Sequence, residues 1–151
     1  MNFIDRLVEL WRLGGVVPDP SLADKSIRKF QNRFDVQFPP DVHAFYRRFH
    51  GLIGDMDSDL NNFWPIEDVD TVSAKVAPYY SGVDKIANST EFFAFADHSI
   101  WVHVYAVRLS KDSRAGASVI WIADGGFATL AQTFTGFWEV YLANPHRIIV
   151  P

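Results

Sequence analysis

The spacing of the apolar residues changes along this chain, and that change constrains the fold more than any other feature. From Asn2 to Gly51 the apolar positions recur every three or four residues, as they do in amphipathic helices. From Phe92 to Ala123 they form short runs of β-branched and aromatic residues, which is the pattern of strands. Helices, then strands, then one further helix predict an α+β fold, and 151 residues suit a single domain over 1–151.

Three helices are predicted in the first third of the chain, each from its end signals as well as its apolar stripe. The first begins after the N-cap Asn2 and stops at Gly14-Gly15, and the second runs from about Asp24 to Phe34. The third follows Pro39-Pro40, because proline is favoured in a first helical turn. We expect Gly51 to end it, since glycine readily takes a positive φ.

The middle of the chain has a less regular pattern. Residues 51–62 are predicted to form an acidic loop, and residues 78–90 a second loop. Between the two loops the spacing predicts a helix, whose inward-facing stripe consists of Ile66, Val69, Val72 and Val76.

The second half of the chain is predicted to form a mainly antiparallel sheet with the last helix packed on it. Strands are expected at 92–96, 100–109 and 117–123, with a turn at Gly125-Gly126. The strand at 100–109 is apolar on both faces, so we expect it to lie at the centre of a sheet that is covered on both sides. The last helix is expected to begin after the N-cap Thr133 and to end at Asn144-Pro145.

Composition and charge exclude several kinds of function. The absence of cysteine excludes disulfides, thiolate metal ligands and cysteine nucleophiles. A net charge of −4 argues against a nucleic-acid binder, which usually carries a basic excess. The first fifteen residues interrupt every apolar run with charges, so no signal peptide is predicted, and no stretch is long enough to cross a bilayer. We therefore expect a cytoplasmic protein that contacts neither nucleic acid nor a membrane.

The alternating acidic segment Asp55-Met56-Asp57-Ser58-Asp59 is the strongest candidate for a metal site. Alternate carboxylates in a loop can converge on a hard cation, and a calcium-binding EF-hand loop begins in this way. That loop needs glycine at its sixth position and glutamate at its twelfth, where this chain has Leu60 and Ile66. A solvated acidic loop without metal or other cofactor is therefore favoured, and an acidic surface for a basic partner is the intermediate interpretation.

Catalytic motifs are weak in this sequence. None of the five histidines belongs to a helical metal-binding pair, and no phosphate-binding glycine loop is present. Asp97, His98 and Ser99 include the residue types of a catalytic triad. Adjacent residues cannot easily aim at one another, however, and the glycine-flanked serine of a nucleophile elbow is missing. We therefore expect that the chain is not an enzyme.

Aromatic and acidic residues give the candidates for a partner-binding surface. Aromatic residues make up 15% of the chain, so some rings are expected outside the core, with Trp64 or Trp101 as candidate anchors. The acidic run that ends at Asp70 contains no basic residue to offset it. The predicted partner-binding residues are Asp55, Asp57, Asp59, Trp64, Glu67 and Asp68.

Several short motifs occur in a definite order along the chain. Residues 27–51 contain I-x-x-F, then F-P-P-D-V-x-x-F-Y, then F-x-G. Further along come F-A-F-A-D, V-Y-A-V, S-V-I and finally L-A-Q-T-F-T-G-F. In this order the motifs resemble the SUKH superfamily from about residue 25 to residue 145. That superfamily is known for a fungal cell-wall assembly regulator and for bacterial immunity proteins that neutralise a toxin, often a nuclease.

The resemblance implies a non-enzymatic protein-binding domain without shared catalytic residues. The leading hypothesis is an immunity protein whose partner is a toxin domain with a basic surface. A regulatory scaffold of the cell-wall regulator type is the alternative. A metal-dependent enzyme, which would combine the acidic segment with a histidine, is the third and least favoured hypothesis.

Overall fold

The three helices of the first third begin where their start signals predicted them. The computed structural model of the protein describes residues 2–15, 18–20, 24–52, 56–112, 114 and 116–149. Within these ranges the helices are α1 (Phe3–Leu13), α2 (Asp24–Phe34) and α3 (Pro40–Arg48). Asn2 caps α1, because its Oδ1 accepts a hydrogen bond from the backbone N–H of Asp5. These helices pack their apolar faces on one side of the main sheet.

The second half forms the antiparallel sheet that the strand pattern predicted. A small two-stranded sheet pairs β1 (Pro18–Pro20) with β2 (Phe49–Leu52). The main sheet has the strand order β3-β5-β6-β7-β8, and β4 also pairs with β5. Its strands are β3 (Asn61–Phe63), β4 (Asp70–Thr71), β5 (Phe92–His98), β6 (His103–Arg108), β7 (Val119–Ala123) and β8 (Gly126–Ala131).

Both faces of the main sheet are covered, as the two-sided apolar pattern of β6 predicted. Tyr105 and Val107 belong to a large apolar cluster that includes side chains of α1, α2, α3 and the last helix, α5 (Phe134–Ala143). Val104 and Ala106 belong to a smaller cluster on the other face, which the segment from residue 72 to residue 86 covers. The prediction of a central strand in a covered sheet is therefore confirmed.

The last helix also begins where it was predicted. The Thr133 side chain accepts a hydrogen bond from the backbone N–H of Gly136, which caps α5. Trp138 of α5 is fully buried, stacks on Phe45 at 4.9 Å between ring centroids, and lies 5.0 Å from the Phe63 ring. α5 is thus packed between the sheet and the helices that precede it in the chain.

The predicted helix over residues 66–76 is wrong, although all four residues of its stripe are buried. The segment is divided into a 3₁₀ turn (Ile66–Asp68), β4 and the short helix α4 (Val72–Lys75). Asp70 and Thr71 pair with β5, so backbone pairing at the sheet edge replaces helical hydrogen bonds at these two residues. Thr71 then caps α4 through the backbone N–H of Ala74.

Two other expectations about local structure need correction, and one strand was not predicted. Gly51 does not end α3, which stops at Arg48, but lies within β2. The strand expected from residue 100 begins only at His103, because the preceding residues form a turn. The turn expected at Gly125-Gly126 is followed by β8, which the small residues of this segment did not reveal. Within the described residues, no helix is both long enough and apolar enough to cross a membrane.

Candidate functional site

The acidic segment is divided between the interior and the surface. Asp57 is only 5% exposed and its carboxylate is fully engaged: Oδ1 accepts the backbone N–H groups of Asp59 at 2.9 Å and Asn61 at 2.8 Å. Oδ2 accepts the Tyr141 hydroxyl at 2.6 Å and the Asn61 side-chain amide at 3.3 Å. This burial argues against a contact between Asp57 and a partner, and we assign the residue an internal role. Asp55 lies outside the described residues.

Two further acids of the acidic run contact histidines of the same chain. Asp59 pairs with His146 at 3.2 Å, and Glu67 pairs with His50 at 2.8 Å. Glu67 also lines a depression of about 370 Å³ beside the cationic side chains of α2. The role of Asp59, Glu67 and Asp68 in partner binding stays a prediction. Among the described residues, no group of three or more His, Asp or Glu side chains is arranged to hold a metal ion.

Asp97 fixes a pair of stacked tryptophans at one end of the sheet. Its Oδ1 accepts the indole N–H of Trp64 at 2.6 Å, and its Oδ2 accepts the backbone N–H of Trp101 at 3.1 Å. The two indole rings stack at 5.5 Å with an interplanar angle of 18°. Trp64 is 6% exposed and lies beneath Trp101, so of the two candidate anchors Trp101 is the one that reaches the surface.

The turn between β5 and β6 has an unusual backbone. Ser99, Ile100 and Trp101 have φ values of 48°, 56° and 64°, which places three consecutive non-glycine residues in the left-handed region. Such a conformation is especially unfavourable for β-branched Ile100, so the surrounding contacts must hold it in place. The backbone N–H of Ser99 donates to the Leu60 carbonyl at 2.8 Å, and Asp97 holds Trp101 as described above. At the tip of this turn the Ile100 side chain is 79% exposed.

Two tyrosines join this turn to form an aromatic surface. The ring centroids of Tyr79 and Tyr80 lie 5.6 Å and 6.2 Å from that of Trp101, both in edge-on geometry. The Tyr80 hydroxyl also donates a hydrogen bond to the Trp101 carbonyl. Tyr79 is 74% exposed, so its ring, like the Ile100 side chain, is free to contact a partner. We call Tyr79, Tyr80, Ile100 and Trp101 the Trp101 surface.

Two adjacent depressions open on the Trp101 surface. One, of about 630 Å³, lies between Tyr79, Tyr80 and Trp101, and the other, of about 460 Å³, lies between Trp64, Asp68 and Trp101. Lys75 and Trp101 line both depressions. The structure therefore brings the predicted residues Trp64 and Asp68 together, and separates them from Glu67, which lines the depression beside α2.

A buried polar chain lies behind this end of the sheet. The Tyr105 hydroxyl donates to Asn61 Oδ1 at 3.1 Å, so the 3.0 Å contact between His103 Nε2 and the Tyr105 oxygen is an imidazole N–H donation. Asn61 in turn donates to Asp57, and the ring of His98 stacks on that of His103 at 4.7 Å. Asp97 and His98 bond to different partners, and nothing in this chain of contacts forms a catalytic triad.

One group of the buried polar chain, His103, has a lowered pKa that affects stability between pH 6.5 and pH 4. Burial, with a further contribution from His98, lowers the pKa of His103 from 6.5 to about 4. Burial also raises the pKa values of Tyr105 and Tyr141, and the nearby Asp57 charge adds to both shifts. His103 is therefore neutral in the folded protein at pH 6, whereas the unfolded chain binds a proton there.

The pH dependence of stability follows from His103. Because the unfolded chain binds the proton at a pH where the folded protein does not, the free energy of unfolding falls as the pH falls from 6.5 towards 4. Between pH 6.5 and pH 5 we expect His103 to account for a loss of about 1.5 kcal/mol. Urea unfolding of wild type and His103→Gln at both pH values measures this difference. An equal loss in both proteins would contradict the assignment.

Comparison with known proteins assigns this chain to a family. The model of the SMI1/KNR4 family (SUKH-1) matches residues 21–139, which is more than half of the chain. The chain belongs to this family. The assignment to the SUKH superfamily is thus confirmed, and the family is generally non-catalytic. A search of curated proteins found no match for this chain.

The matched range leaves out α1 and the C-terminal end of α5, which contribute to the core of this SUKH-1 protein. The helix α1 precedes it and Tyr141 follows it, yet Trp11 of α1 is 2% exposed and donates its indole N–H to the Tyr141 hydroxyl at 2.9 Å. The Tyr141 hydroxyl in turn donates a hydrogen bond to Asp57, which lies inside the matched range. Both end helices therefore contribute to the same core as the matched range.

Proposed function

We propose that this SUKH-1 protein is a non-enzymatic immunity protein that binds a toxin domain through the Trp101 surface and thereby neutralises it. The observation that carries the proposal is the turn at Ser99–Trp101, where a strained backbone displays a large apolar side chain to solvent. Backbone strain and exposed apolar area both reduce the stability of the free protein. Features of this kind concentrate at binding surfaces, where contacts with a partner offset the cost.

The composition of the Trp101 surface suits a protein partner. Tryptophan and tyrosine are favoured anchors of protein interfaces, and the two depressions beside Trp101 can receive side chains from a partner. Asp68 at the rim of one depression favours a partner with a basic residue there, in line with a nucleic-acid-cleaving toxin. Lys75 on the shared wall limits the negative charge of the surface. In this proposal the protein acts in the cytoplasm, where it meets the toxin domain.

The test uses a variant that removes the exposed apolar side chain of Ile100 without adding strain to the turn. Ile100→Asn replaces the apolar side chain, and asparagine tolerates the left-handed backbone better than isoleucine, so the fold is retained. Leu13→Asn is the matched control, because Leu13 is 74% exposed at the end of α1. Against a toxin domain chosen from the genes adjacent to this one, we expect Ile100→Asn to raise the dissociation constant about tenfold or more, and Leu13→Asn to leave it unchanged.

Protection of cells separates this proposal from the scaffold alternative. Co-expression of the wild-type protein should restore growth to cells that make the toxin domain, and Ile100→Asn should restore less. Binding without protection would instead favour a regulatory scaffold. If Ile100→Asn and Leu13→Asn bind equally well, the Trp101 surface is not the binding site.

A further inference from the structure

The two edges of the main sheet are built differently. At one edge, β3 and β4 are strands of three and two residues that share β5 as their partner, so this edge is short and interrupted. At the other edge, β8 is a strand of six residues, and among the described residues it pairs only with β7. Its pairing with β7 is regular from Gly126 to Thr129 and shifts by one residue after that point. The outward-directed backbone groups of β8 are therefore available for a further strand.

The β8 edge lacks the features that normally prevent two edges from pairing. Sheet edges are usually protected by charged residues, proline or very short strands. No Asp, Glu, Lys, Arg or Pro occurs between Gly125 and Trp138. Among the described residues, no backbone group of β8 bonds outside the sheet. Phe127, 44% exposed, and Thr129 present their side chains to solvent along this edge.

We propose that β8 pairs with β8 of a second copy of this chain, antiparallel and about a two-fold axis near Ala128. A two-fold axis places a strand against itself, so a charge close to the axis would lie near the same charge of the partner strand. An uncharged strand avoids this repulsion and can therefore pair with a second copy of itself. The pairing joins the two six-stranded sheets into one continuous sheet, and it closes because each copy has one such edge.

A pair of opposite substitutions at one position distinguishes a second copy from any other strand. In a register centred near Ala128, the two copies of residue 129 lie within roughly 10 Å of each other, a distance over which charges interact. Thr129→Lys and Thr129→Glu each oppose like charges across the axis, so each should be monomeric. An equimolar mixture opposes unlike charges and should recover the dimer. Because Thr129 is exposed, both charges are solvated in the monomer.

The experiment measures mass in solution for the full chain alone. At roughly 100 µM, where weak edge interfaces associate, light scattering after gel filtration should give twice 17.2 kDa for wild type and 17.2 kDa for each single variant. Thr90→Lys is the control: it makes the same change at an exposed threonine outside the sheet and should remain dimeric. A monomeric wild type, a dimer that persists in Thr129→Lys, or a mixture that stays monomeric would each overturn the proposal. Toxin binding plays no part in this readout, so the two proposals fail independently.

Discussion

Gly51→Ala is expected to remove a large part of the stability of this protein. Gly51 has a φ of +92°, and a Cβ atom there would lie 2.7 Å from the Phe63 carbonyl oxygen and 2.8 Å from the Pro65 nitrogen. Both neighbours are backbone atoms, so no side-chain rotation can relieve the contact. The left-handed backbone costs roughly 1–2 kcal/mol for alanine, and overpacking adds about 1–3 kcal/mol. We expect a loss of about 4 kcal/mol, a large part of a typical domain's stability.

A second glycine separates the two contributions to the Gly51 effect. Gly15 has a φ of +72°, but a Cβ atom there would meet nothing within 4 Å. Gly15→Ala should therefore show only the backbone cost of roughly 1–2 kcal/mol. Urea unfolding monitored by tryptophan fluorescence gives both values. If the two variants lose equal stability, the close approach of β2 to residues 63–65 does not limit the side chain at position 51.

Asp57→Ala is expected to lower the free energy of unfolding by a similar amount, because it removes a buried hydrogen-bond acceptor. The substitution deprives the Tyr141 hydroxyl, the Asn61 amide and two backbone N–H groups of their acceptor. Each buried donor left without a partner costs about 1–3 kcal/mol. The Asp59 backbone N–H is only partly buried, so the cost comes mainly from the three buried donors. We therefore expect a total loss of about 4 kcal/mol. Asp68→Ala, at an exposed position of the same acidic run, should change stability by no more than about 0.5 kcal/mol.

A double-mutant cycle tests whether the Asp57 effect runs through Tyr141. Tyr141→Phe removes the hydroxyl that donates to Asp57 and accepts from Trp11, while the ring remains. The coupling free energy between Asp57→Ala and Tyr141→Phe should be about 1–3 kcal/mol, as for directly bonded buried groups. Additive losses would show that Asp57 stabilises the protein through its backbone contacts alone.

Helices with local end signals were predictable from the sequence because their causes lie within a few residues. Asn2 and Thr133 cap their helices through side-chain bonds to backbone N–H groups three residues away. The helix expected over residues 66–76 failed for the opposite reason. Its apolar spacing describes burial correctly, but pairing of Asp70 and Thr71 with β5 depends on a strand some twenty residues further along the chain.

The candidate site was predictable only in part, because its decisive contacts are also distant in sequence. A run of alternating carboxylates suggests a solvated loop, since aspartate is rarely buried without partners. The burial of Asp57 depends on Tyr141, which lies 84 residues away. Likewise, no residue type at Ile100 or Trp101 indicates a left-handed backbone, because isoleucine disfavours it. The hydrogen bonds from Ser99 to Leu60 and from Trp101 to Asp97 hold that turn, and both partners are set by the tertiary fold.

The contact between α1 and α5 has a consequence for how the protein is made. Trp11 and its bonding partner Tyr141 are separated by 130 residues. At ribosomal rates of about 5–20 residues per second, α1 emerges on the order of ten seconds before α5 is complete. Local helices form far faster than this. The nascent chain therefore presents the apolar face of α1 to its surroundings until α5 has been made, and the large core cannot close before then.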